Sequence, residues 1–400
     1  MPGLPGMAGV AGVPGTVTVV HATDAPPPRW DASLFLAGPT PRSADVPSWR
    51  PAAVDLIRRH WAGPGDLVVF VPESSTGAFT ADYDDQIGWE LRWLSAADQV
   101  LFWVPRDLAT LPGLTTNDEW GWLKDSGRAV FGSPPDAAKV RYQREYARNH
   151  GIPLADTLDA AVRAALGRIG TGAPRADGER HVPLLVWSAP EFRHWYAAQR
   201  AAGNTLRDAG VVWTLRVSGA LVYWAARVSV AIAAEGGRIK DNEVVVGRPD
   251  ISAVVLYRRG ATVRDTQLVL VREFRSPGCA PDGYVHEFPG GSGGFTDPAR
   301  AARAELAEET GLALAPERLR AHGVRQLAAT MSVHRGHVFS AEVTAGELAR
   351  LTAAPGPHGS GDTERTWVET TTFGELLDGG RADWATMGMA AQVLADVDGR

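Results

Sequence analysis

Three glutamates in the carboxyl-terminal half, Glu305, Glu308 and Glu309, are spaced at i, i+3 and i+4. The segment 297–311 around them is predicted to be a helix, because it opens on Asp-Pro and ends at a glycine. On one helical face, like charges at this spacing repel by roughly a few tenths of a kcal/mol per pair. A divalent cation reverses that cost, because Mg²⁺ prefers carboxylate oxygens and takes substrate phosphate oxygens as further ligands. The alternative is a solvated acidic helix.

A glycine-rich loop, residues 290–294, comes shortly before this helix. Glycines let the backbone approach other groups closely, so the loop can bring bare carbonyl and amide groups next to the carboxylates. The combination of a glycine loop with three glutamates on one helical face therefore favours a metal and phosphate site over the solvated helix.

The stretch from Glu287 to Leu312 (EFPGGSGGFTDPARAARAELAEETGL) resembles the sequence box of the Nudix hydrolase family. In that box a glycine and a glutamate precede the segment Arg-Glu-aliphatic-x-Glu-Glu-x-Gly-aliphatic. Gly290 matches the box glycine in one register, whereas the Glu-Phe-Pro lead-in favours a register one residue later. Two positions differ from the family, because Thr296 replaces the first glutamate and Ala304 replaces the arginine.

The resemblance implies a metal-dependent hydrolase with an α/β/α sandwich fold. Mg²⁺, or Mn²⁺ in its place, would be held by Glu305, Glu308, Glu309 and the carbonyl of Gly290. Glu305 and Glu309 are also the catalytic candidates. In the family, the Arg–Glu pair that is missing here steadies the helix and orients the catalytic glutamate. We therefore expect metal binding to be retained and turnover to be reduced or altered.

Residues 271–275 (VREFR), just before the box, narrow the resemblance to the ADP-ribose pyrophosphatase group. In that group an arginine of this strand meets a substrate phosphate, a role that suits the bidentate guanidinium. Arg272 or Arg275 would fill this role, and Glu287 is a further substrate-binding candidate. The resemblance implies an ADP-ribose-like nucleoside diphosphate compound as the substrate.

A loop late in the chain, residues 359–369, is expected to supply one more acid. In the ADP-ribose pyrophosphatase group, a glutamate of this loop positions or deprotonates the attacking water. Glu364 is the candidate for that role, and Asp362 and Glu369 are the alternatives.

The amino-terminal part alternates short apolar stretches with amphipathic ones. The predicted strands are 33–37, 66–71, 99–104 and 128–132, and the predicted helices are 51–61, 84–96, 137–149 and 157–166. Alternation of this kind predicts an α/β fold with a doubly wound, mostly parallel sheet. The site of such a sheet lies at the carboxyl ends of its strands.

Three short motifs lie within or after these strands and helices: FLAGP at 35–39, Trp-Glu at 89–90 with Ala-Asp at 97–98, and Glu-Trp-Gly at 119–121. With the order of the elements, they resemble the nucleoside 2-deoxyribosyltransferase-like family. In that family the glutamate of the last motif attacks the anomeric carbon of the sugar and releases the base, and a second acid can protonate that base.

The resemblance assigns roles to six residues of this half. Glu119 would be the nucleophile, with Asp84 or Asp85 as its acid partner. Substrate would be bound by Gly38, Pro39 and Asn117. The sequence departs from the family just before Glu119, where Thr-Thr-Asn occupies residues 115–117. The alternative interpretation is that Glu119 lies in a surface loop before a helix.

Tryptophans near these motifs could stack on a nucleobase, and they are Trp89, Trp93, Trp103, Trp120 and Trp122. Trp93 and Trp103 lie on periodic apolar faces and are predicted to be packing residues. We expect no more than one of the five to contact a ligand.

The predicted domain organisation has four parts. They are a disordered tail over 1–28, a transferase-like domain over 29–169, an exposed linker over 170–182 and a Nudix domain with an amino-terminal extension over 183–400. The apolar segment 217–234 is interrupted by an arginine, serines and a glycine, so it is predicted to be a β-hairpin and not a membrane span. No membrane partner is therefore expected.

Composition limits the remaining classes. The net charge of −6 argues against a surface for polyanions, so no nucleic-acid polymer is expected as a partner. The single cysteine, Cys279, rules out an internal disulfide and suits a cytoplasmic protein.

The leading functional hypothesis is hydrolysis of a nucleoside diphosphate compound, coupled to processing of an N-glycosidic bond in a small-molecule nucleoside or nucleotide. One alternative is a nucleoside deoxyribosyltransferase or N-glycosidase whose altered Nudix half only binds nucleotide. Another is a pair of ligand-sensing modules without turnover. Both families commonly form homo-oligomers, so a dimer is expected.

Overall fold

The computed structural model describes residues 15–43, 45–75, 83–294, 296–359 and 364–398. The chain divides into two compact units, Met1–Val246 and Gly247–Arg400. Both units mix α-helices with β-sheet, as the sequence predicts.

The first unit contains, in chain order, β1 (Val17–His21), β2 (Arg29–Trp30), β3 (Ala32–Ala37), α1 (Arg50–His60), β4 (Leu67–Val71), α2 (Tyr83–Ala96), β5 (Gln99–Trp103), α3 (Leu114–Leu123), β6 (Ala129–Gly132), α4 (Arg141–Asn149), β7 (Leu154–Ala155), α5 (Leu158–Ile169), β8 (Arg175–Ala176), α6 (Leu184–Trp187), α7 (Pro190–Ala201), β9 (Thr205–Val217), β10 (Ala220–Ile232) and β11 (Arg238–Gly247).

A six-stranded sheet with the order β1-β4-β3-β5-β6-β7 forms the centre of this unit, and every neighbouring pair is parallel. Its central strands are buried on both faces, which explains their continuous apolar sequences, such as LVVFV in β4. Helices α1 and α5 pack on one face, and α2, α3 and α4 pack on the other. The predicted doubly wound parallel sheet is therefore confirmed.

The structure corrects the predicted amino-terminal tail. Residues 17–21 form the edge strand β1, which pairs with β4 in register from Val17↔Leu67 to His21↔Val71. The Gly- and Pro-rich composition of the first residues concealed this short run of β-branched side chains. Residues 1–14 lie outside the part of the chain that the structure describes.

The predicted linker is also corrected, because residues 170–182 are built into the first unit. Strand β8 pairs with β2, and Arg175 is only 1% exposed. Its guanidinium donates to both carboxylate oxygens of Asp98 over 2.6 Å and to the Val182 carbonyl over 2.8 Å. The charges that suggested an exposed linker include one that is buried and paired.

Residues 183–246, which were assigned to the second domain, also group with the first unit. They include an antiparallel sheet of β9, β10 and β11, and Trp224 of this sheet packs on Phe192 of α7. Strands β9 and β10 form a hairpin and are joined at Ser218 and Gly219, both of which have positive φ. The segment 217–234, predicted to be a hairpin by itself, supplies mainly one arm, β10, and the other arm is β9 before it. Within the described residues, no helix combines the length and the apolar character that a membrane span requires.

The second unit contains, in chain order, β12 (Ile251–Arg258), β13 (Gln267–Glu273), β14 (Val285–Glu287), β15 (Gly290–Ser292), α8 (Pro298–Thr310), β16 (Arg320–Gln326), β17 (Arg335–Glu342), α9 (Ala345–Ala353), β18 (Thr366–Thr372), α10 (Phe373–Gly379) and α11 (Trp384–Asp398).

A seven-stranded mixed sheet organises this unit, with the order β14-β13-β12-β17-β16, while β15 pairs with β12 and β18 pairs with β13. Helices α8 and α9 cover one face, and α10 and α11 cover the other. Helix α8 begins and ends as predicted, because the Asp297 carboxylate accepts from the amides of Ala299 and Arg300, and Gly311 adopts the left-handed conformation at its end.

Candidate functional site

Three carboxylates of the second unit converge in what we call the carboxylate cluster: Glu273 at the end of β13, Glu309 on α8 and Glu364 just before β18. One oxygen from each lies within 4.8 Å of the others. Glu273 and Glu309 are 4% and 3% exposed. The Gly290 amide donates to Glu309 Oε2 over 2.8 Å, which connects the glycine loop to the cluster.

Burial and mutual repulsion disfavour negative charge in this cluster. The pKa of Glu309 is raised to about 8, first by burial and then by the charges of Glu287, Glu305 and Glu273, while the Gly290 hydrogen bond lowers it. Burial likewise raises the pKa of Glu273 to about 7. A set of oxygen donors whose charges are costly when unpaired suits a hard divalent cation.

The three glutamates of the predicted helix have different environments. Glu309 belongs to the carboxylate cluster, and Glu305 packs against the loop, where a Cβ on Gly291 would lie 2.4 Å from its Cδ. The pKa of Glu305 is raised by burial and then by Glu308 and Glu364. Glu308 is exposed. The structure thus brings Glu309 and Glu364 together with Glu273, a residue that the sequence analysis did not select.

The two candidate arginines lie in separate places. Arg275 Nη2 is 2.7 Å from Glu273 Oε2 and 3.6 Å from Glu364 Oε1, so it borders the carboxylate cluster. Arg272 instead lies 4.8 Å from the ring centre of Tyr284 and 5.3 Å from that of Trp367. Of the two, Arg275 is therefore the one that can reach a phosphate at the cluster.

The remaining candidate residues of this unit also lie in separate places. Burial raises the pKa of Glu287, and the charge of Arg275 lowers it. The charge of Glu287 in turn raises the pKa of Glu309, so Glu287 borders the carboxylate cluster. Glu369 Oε2 accepts from His286 Nδ1 over 2.8 Å, and Glu369 Oε1 lies 3.7 Å from Arg272 Nε. Asp362 lies outside the described residues.

In the first unit, the FLAGP turn after β3 is held by two buried side chains. Arg50 Nη2 donates to the Gly38 carbonyl over 2.6 Å, and Trp49 Nε1 donates to the Pro39 carbonyl over 3.1 Å. A Cβ on Gly38 would lie 2.2 Å from the carbonyl oxygen of Trp103. Glycine is therefore required at this position by the close approach of two strands.

Arg50 is 1% exposed and pairs with Glu73 over 2.5 Å. Ser48 Oγ donates to both Glu73 oxygens over 3.0 and 2.8 Å, which fixes the carboxylate. Sequence reasoning missed Arg50. The signal that could have identified Arg50 is its position at the start of α1. A cation there opposes the helix dipole, so its presence indicates a further interaction.

Glu119 is half-buried within α3, so the alternative that placed it in a surface loop before a helix is wrong. Burial raises the pKa of its carboxyl to about 8, the charge of Glu90 adds to this rise, and the charge of Arg50 opposes it. Because Arg50 also holds the Gly38 carbonyl, Glu119 lies near the carboxyl end of β3.

Comparison with known proteins supports the predicted transferase-like domain of the first unit. A family model described as nucleoside 2-deoxyribosyltransferase like matches residues 31–137. Those residues form a nucleoside 2-deoxyribosyltransferase-like domain. The match runs from β3 to the segment before α4 and includes Arg50, Glu90 and Glu119. No curated protein matches the chain.

The acids of the transferase-like domain that could partner Glu119 lie on α2. Asp84 and Asp85 are exposed in its first turn. Glu90, further along the helix, raises the pKa of Glu119 more than Asp118 of α3 does, and burial raises the pKa of Glu90 itself. Gln86 Nε2 donates to Glu90 Oε1 over 2.8 Å. Sequence reasoning used Glu90 for the resemblance but gave it no chemical role.

Most tryptophans of the transferase-like domain are packing residues. Trp93, Trp103 and Trp120 are at most 6% exposed, which confirms the prediction for the first two. Trp89 is half-buried, and its Nε1 donates to the Asp24 carbonyl over 3.0 Å. Trp122 is 51% exposed.

Proposed function

We propose that the transferase-like domain breaks or transfers the N-glycosidic bond of a nucleoside or nucleotide. The observation that supports this proposal is the half-buried Glu119 within the segment that matches the family, whose pKa is raised by burial and by the charge of Glu90 and lowered by the charge of Arg50. A carboxylate in a sheltered site can attack an anomeric carbon and stabilise its positive charge.

In the proposed reaction, the ionised Glu119 carboxylate forms a bond to the anomeric carbon of the sugar. The bond between this carbon and the base nitrogen breaks, and its electron pair leaves with the base. A proton reaches the base from an acid of α2. Asp84 and Asp85 are the candidates from the sequence, and the raised pKa of Glu90 favours this residue. Water or a second base then releases the sugar from Glu119.

Replacement of Glu119 tests this proposal. Glu119→Ala is expected to lower base release from a panel of nucleosides and nucleoside 5′-monophosphates by about 10³-fold or more, since the nucleophile is lost. Glu145→Ala, which removes an exposed carboxylate of α4, is the control and should leave the rate unchanged. Base release at the wild-type rate by Glu119→Ala would contradict the assignment.

A second candidate function concerns the second unit. We propose that it is a metal-dependent, Nudix-type hydrolase of an ADP-ribose-like nucleoside diphosphate compound. The carboxylate cluster supports this proposal, because three oxygens within 4.8 Å of one another suit a divalent cation. The glycine loop and α8, which carry the resemblance to the Nudix box, contribute Gly290 and Glu309 to this cluster.

Glu273 and Glu309 would hold the ion, with Glu305, Glu308 and the carbonyl of Gly290 as the ligands proposed from the sequence. Mg²⁺ or Mn²⁺ supplies charge neutralisation of the diphosphate and acidifies a bound water. Glu364 would orient or deprotonate the attacking water, since it lies at the half-buried side of the cluster.

Arg275 and Glu287 are the proposed substrate-binding residues at the rim of this cluster. Arg275 is about half-exposed, so its guanidinium can turn from Glu273 towards a phosphate oxygen of the substrate. Glu287 would then accept hydrogen bonds from the substrate or its sugar.

A matched pair of variants tests the hydrolase. The wild-type protein with Mg²⁺ is expected to cleave a member of a nucleoside diphosphate panel, and Glu309→Gln should lower that rate by about 10²- to 10³-fold. Glu317→Gln makes the same chemical change at an exposed carboxylate of the second unit outside the proposed site and should leave the rate unchanged. Retained cleavage in Glu309→Gln would refute the site.

The two proposed activities fit one route of nucleotide metabolism, in which one unit releases a base and the other cleaves a diphosphate. Tight binding of ADP-ribose without product would instead favour a sensing role for the second unit. Gel filtration with light scattering tests the expected dimer.

A further inference from the structure

A cavity of about 180 Å³ lies between the helices and the antiparallel sheet of the first unit. Its walls come from the ends of α2 and α3, the turn 125–128, the short helix α6 and strand β9. Trp122 and Arg128 line this cavity, whereas Glu90 and Glu119 do not. It is therefore distinct from the carboxyls that support the proposed reaction of the transferase-like domain.

Arg128 is the buried cation of this cavity, with 5% of its surface exposed. Its Nη1 donates to the carbonyls of Leu94 and Ala97, and these are the hydrogen bonds of its side chain in the described part of the chain. Nε and Nη2 keep their N–H donors for a ligand, since a guanidinium has five such donors. Burial lowers the pKa of Arg128 to about 10, against the charge of Asp98.

Two other buried arginines of this unit have carboxylate partners. Arg50 lies 2.5 Å from Glu73, and Arg175 lies 2.6 Å from Asp98. A buried cation without such a partner is unfavourable, because the cost of removing its charge from water is not compensated. An anionic ligand at Arg128 would supply this compensation.

Two further cations flank Gly127, the residue before Arg128. Arg168 Nη2 donates to the Gly127 carbonyl over 2.5 Å, and a Cβ on Gly127 would lie 2.6 Å from Arg216 Cδ. The other hydrogen bonds of these two guanidinium groups in the described residues also go to neutral oxygens. Their charges add to the positive potential near Arg128 and favour an anion.

One carboxylate, that of Asp125, also lines the cavity. Both of its oxygens already accept hydrogen bonds, because Lys124 Nζ and the Tyr146 hydroxyl each donate to one of them over 2.5 Å. The charge of Asp125 is thus compensated by Lys124. The guanidinium of Arg128 consequently suits a ligand with a single negative charge.

The rest of the lining is largely aromatic and aliphatic. Trp122 and Trp213 are each 51% exposed, and Leu185 and Val186 of α6 add apolar surface. Aromatic rings bury large areas against other planar groups, so this lining favours a ligand with an aromatic body over an inorganic anion. The cavity is smaller than the roughly 300–1,000 Å³ of sites for drug-sized ligands, so the body is small.

We propose that this cavity binds a small aromatic carboxylate, whose negative group accepts from Arg128 and whose ring packs against Trp122 and Trp213. Arginine favours such a pairing, because its fork of N–H groups matches the two carboxylate oxygens. The site goes beyond the activities proposed above and does not depend on them.

Calorimetric titration of the full chain with benzoate, phenylacetate and indole-3-acetate, each beside its neutral amide, tests the role of charge. An acid and its amide share the ring and nearly the same shape. At least one acid is expected to bind about tenfold or more tightly than its amide, because the amide lacks the charge that pairs with the guanidinium. Equal affinities of each acid and its amide, or no binding of any acid, would overturn the proposal.

Arg128→Met keeps an unbranched side chain and removes the charge. It should lower the affinity for the tightest-binding acid by about tenfold or more and change that for its amide much less. Replacement of a buried, unpaired charge by an apolar side chain is compatible with folding. Arg58→Met, the same change at an exposed position of α1, is the control. Wild-type affinity in Arg128→Met would refute the role of Arg128.

Trp213→Ala tests the ring contact at an exposed position, so it decides the proposal even if Arg128→Met does not fold. It should lower the affinity for the acid and for its amide alike, by about twofold to tenfold. Trp384→Ala, which removes an exposed tryptophan of the second unit, is the control and should change neither affinity. Unchanged binding in Trp213→Ala would contradict the placement of the ring.

Hydrogen exchange locates the bound acid. Protection is expected in residues 122–128 and 211–214, which border the cavity, and Glu119→Gln should bind the acid with the wild-type affinity. Protection confined to other segments, or loss of binding in Glu119→Gln, would mean that the acid occupies another site and would overturn the proposal.

Discussion

In the first unit the most deeply buried charges lie against opposite charges, whereas in the second unit they lie against like charges. Arg175 pairs with Asp98, and Arg50 pairs with Glu73. Glu273 and Glu309, by contrast, share a space with a third carboxylate, Glu364. Arg275 is the cation at the rim of this group, and about half of its side chain is exposed.

The difference separates paired charges that stabilise the fold from crowded carboxylates whose negative charge is unfavourable. In a buried ion pair that is fully hydrogen-bonded, each charge is neutralised by its partner. Removing one partner leaves an uncompensated buried charge. Crowded carboxylates are tolerated by protonation, as the raised pKa values of Glu273 and Glu309 show, or by a bound cation. Glu119 is intermediate, because two carboxyls, Glu90 and Asp118, raise its pKa and one guanidinium, Arg50, lowers it.

The largest expected change in the free energy of unfolding comes from breaking a buried ion pair in the first unit. Arg175→Ala leaves Asp98 buried without its cation and should lower the free energy of unfolding by about 3–5 kcal/mol. Hydrogen exchange should show the loss in the first unit. Arg163→Ala removes an exposed ion pair with Asp159 and should cost at most about 0.5 kcal/mol. Equal losses in the two variants would mean that burial of the pair is unimportant.

A smaller effect is expected from adding a cation to the second unit. Mg²⁺ at about one hundred times its dissociation constant should raise the free energy of unfolding by about 2.7 kcal/mol, by mass action. Hydrogen exchange should show protection in the second unit. Glu273→Gln and Glu309→Gln should remove this response, and Glu119→Gln should keep it. Protection that persists in both cluster variants would contradict a metal site there.

The smallest expected effect is the pH response of Glu119. If its carboxylate is the nucleophile, base release should rise by about tenfold per pH unit below pH 8 and level off above it, because a pKa near 8 limits the ionised fraction. A rate that falls over this range would assign Glu119 the role of an acid.

The same shift has a defined sign for stability. The folded protein binds this proton more tightly than the unfolded chain, whose carboxyl has a pKa of 4.5. The contribution of Glu119 to stability is therefore fully present below pH 4.5 and is lost as the pH rises to about 8. Glu119→Gln should remove this part of the pH dependence of unfolding.

Long periodic elements could be predicted from the sequence, and short ones could not. The predicted strand 99–104 is β5 (Gln99–Trp103), and the predicted helix 84–96 is α2 (Tyr83–Ala96), because each carries a continuous apolar or amphipathic pattern. Strand β8 has two residues and depends on Arg175 reaching Asp98, a contact between residues far apart in the chain.

Helix α3 shows a different reason for failure. Its sequence, LTTNDEWGWL, combines two threonines, a glycine and two tryptophans, which have weak intrinsic helix propensity. The helix is stabilised by packing instead, since Trp120 and Leu123 are at most 3% exposed in the core. Tertiary packing of this kind has no local signal, so the sequence analysis predicts no helix for this segment.

The candidate site residues likewise divide into those with a local sequence signal and those that only the fold brings together. Motifs identified Glu119, Glu309 and Glu364, because their spacing within short segments is local. Glu273 and Arg50 became visible only with the fold. Glu273 comes from a strand that precedes α8 by more than twenty residues, and its contact with Glu309 depends on how the sheet and the helix pack.

Strand β13 sends neighbouring side chains to opposite faces of its sheet: Glu273 towards the carboxylate cluster and Arg272 towards Tyr284 and Trp367. A slip of this strand by one residue would place the guanidinium of Arg272 where the carboxylate of Glu273 now meets Glu309 and Glu364. The fixed pairing of β13 with β18, from Gln267↔Thr372 to Glu273↔Thr366, thus sets the sign of the charge that β13 contributes to the carboxylate cluster.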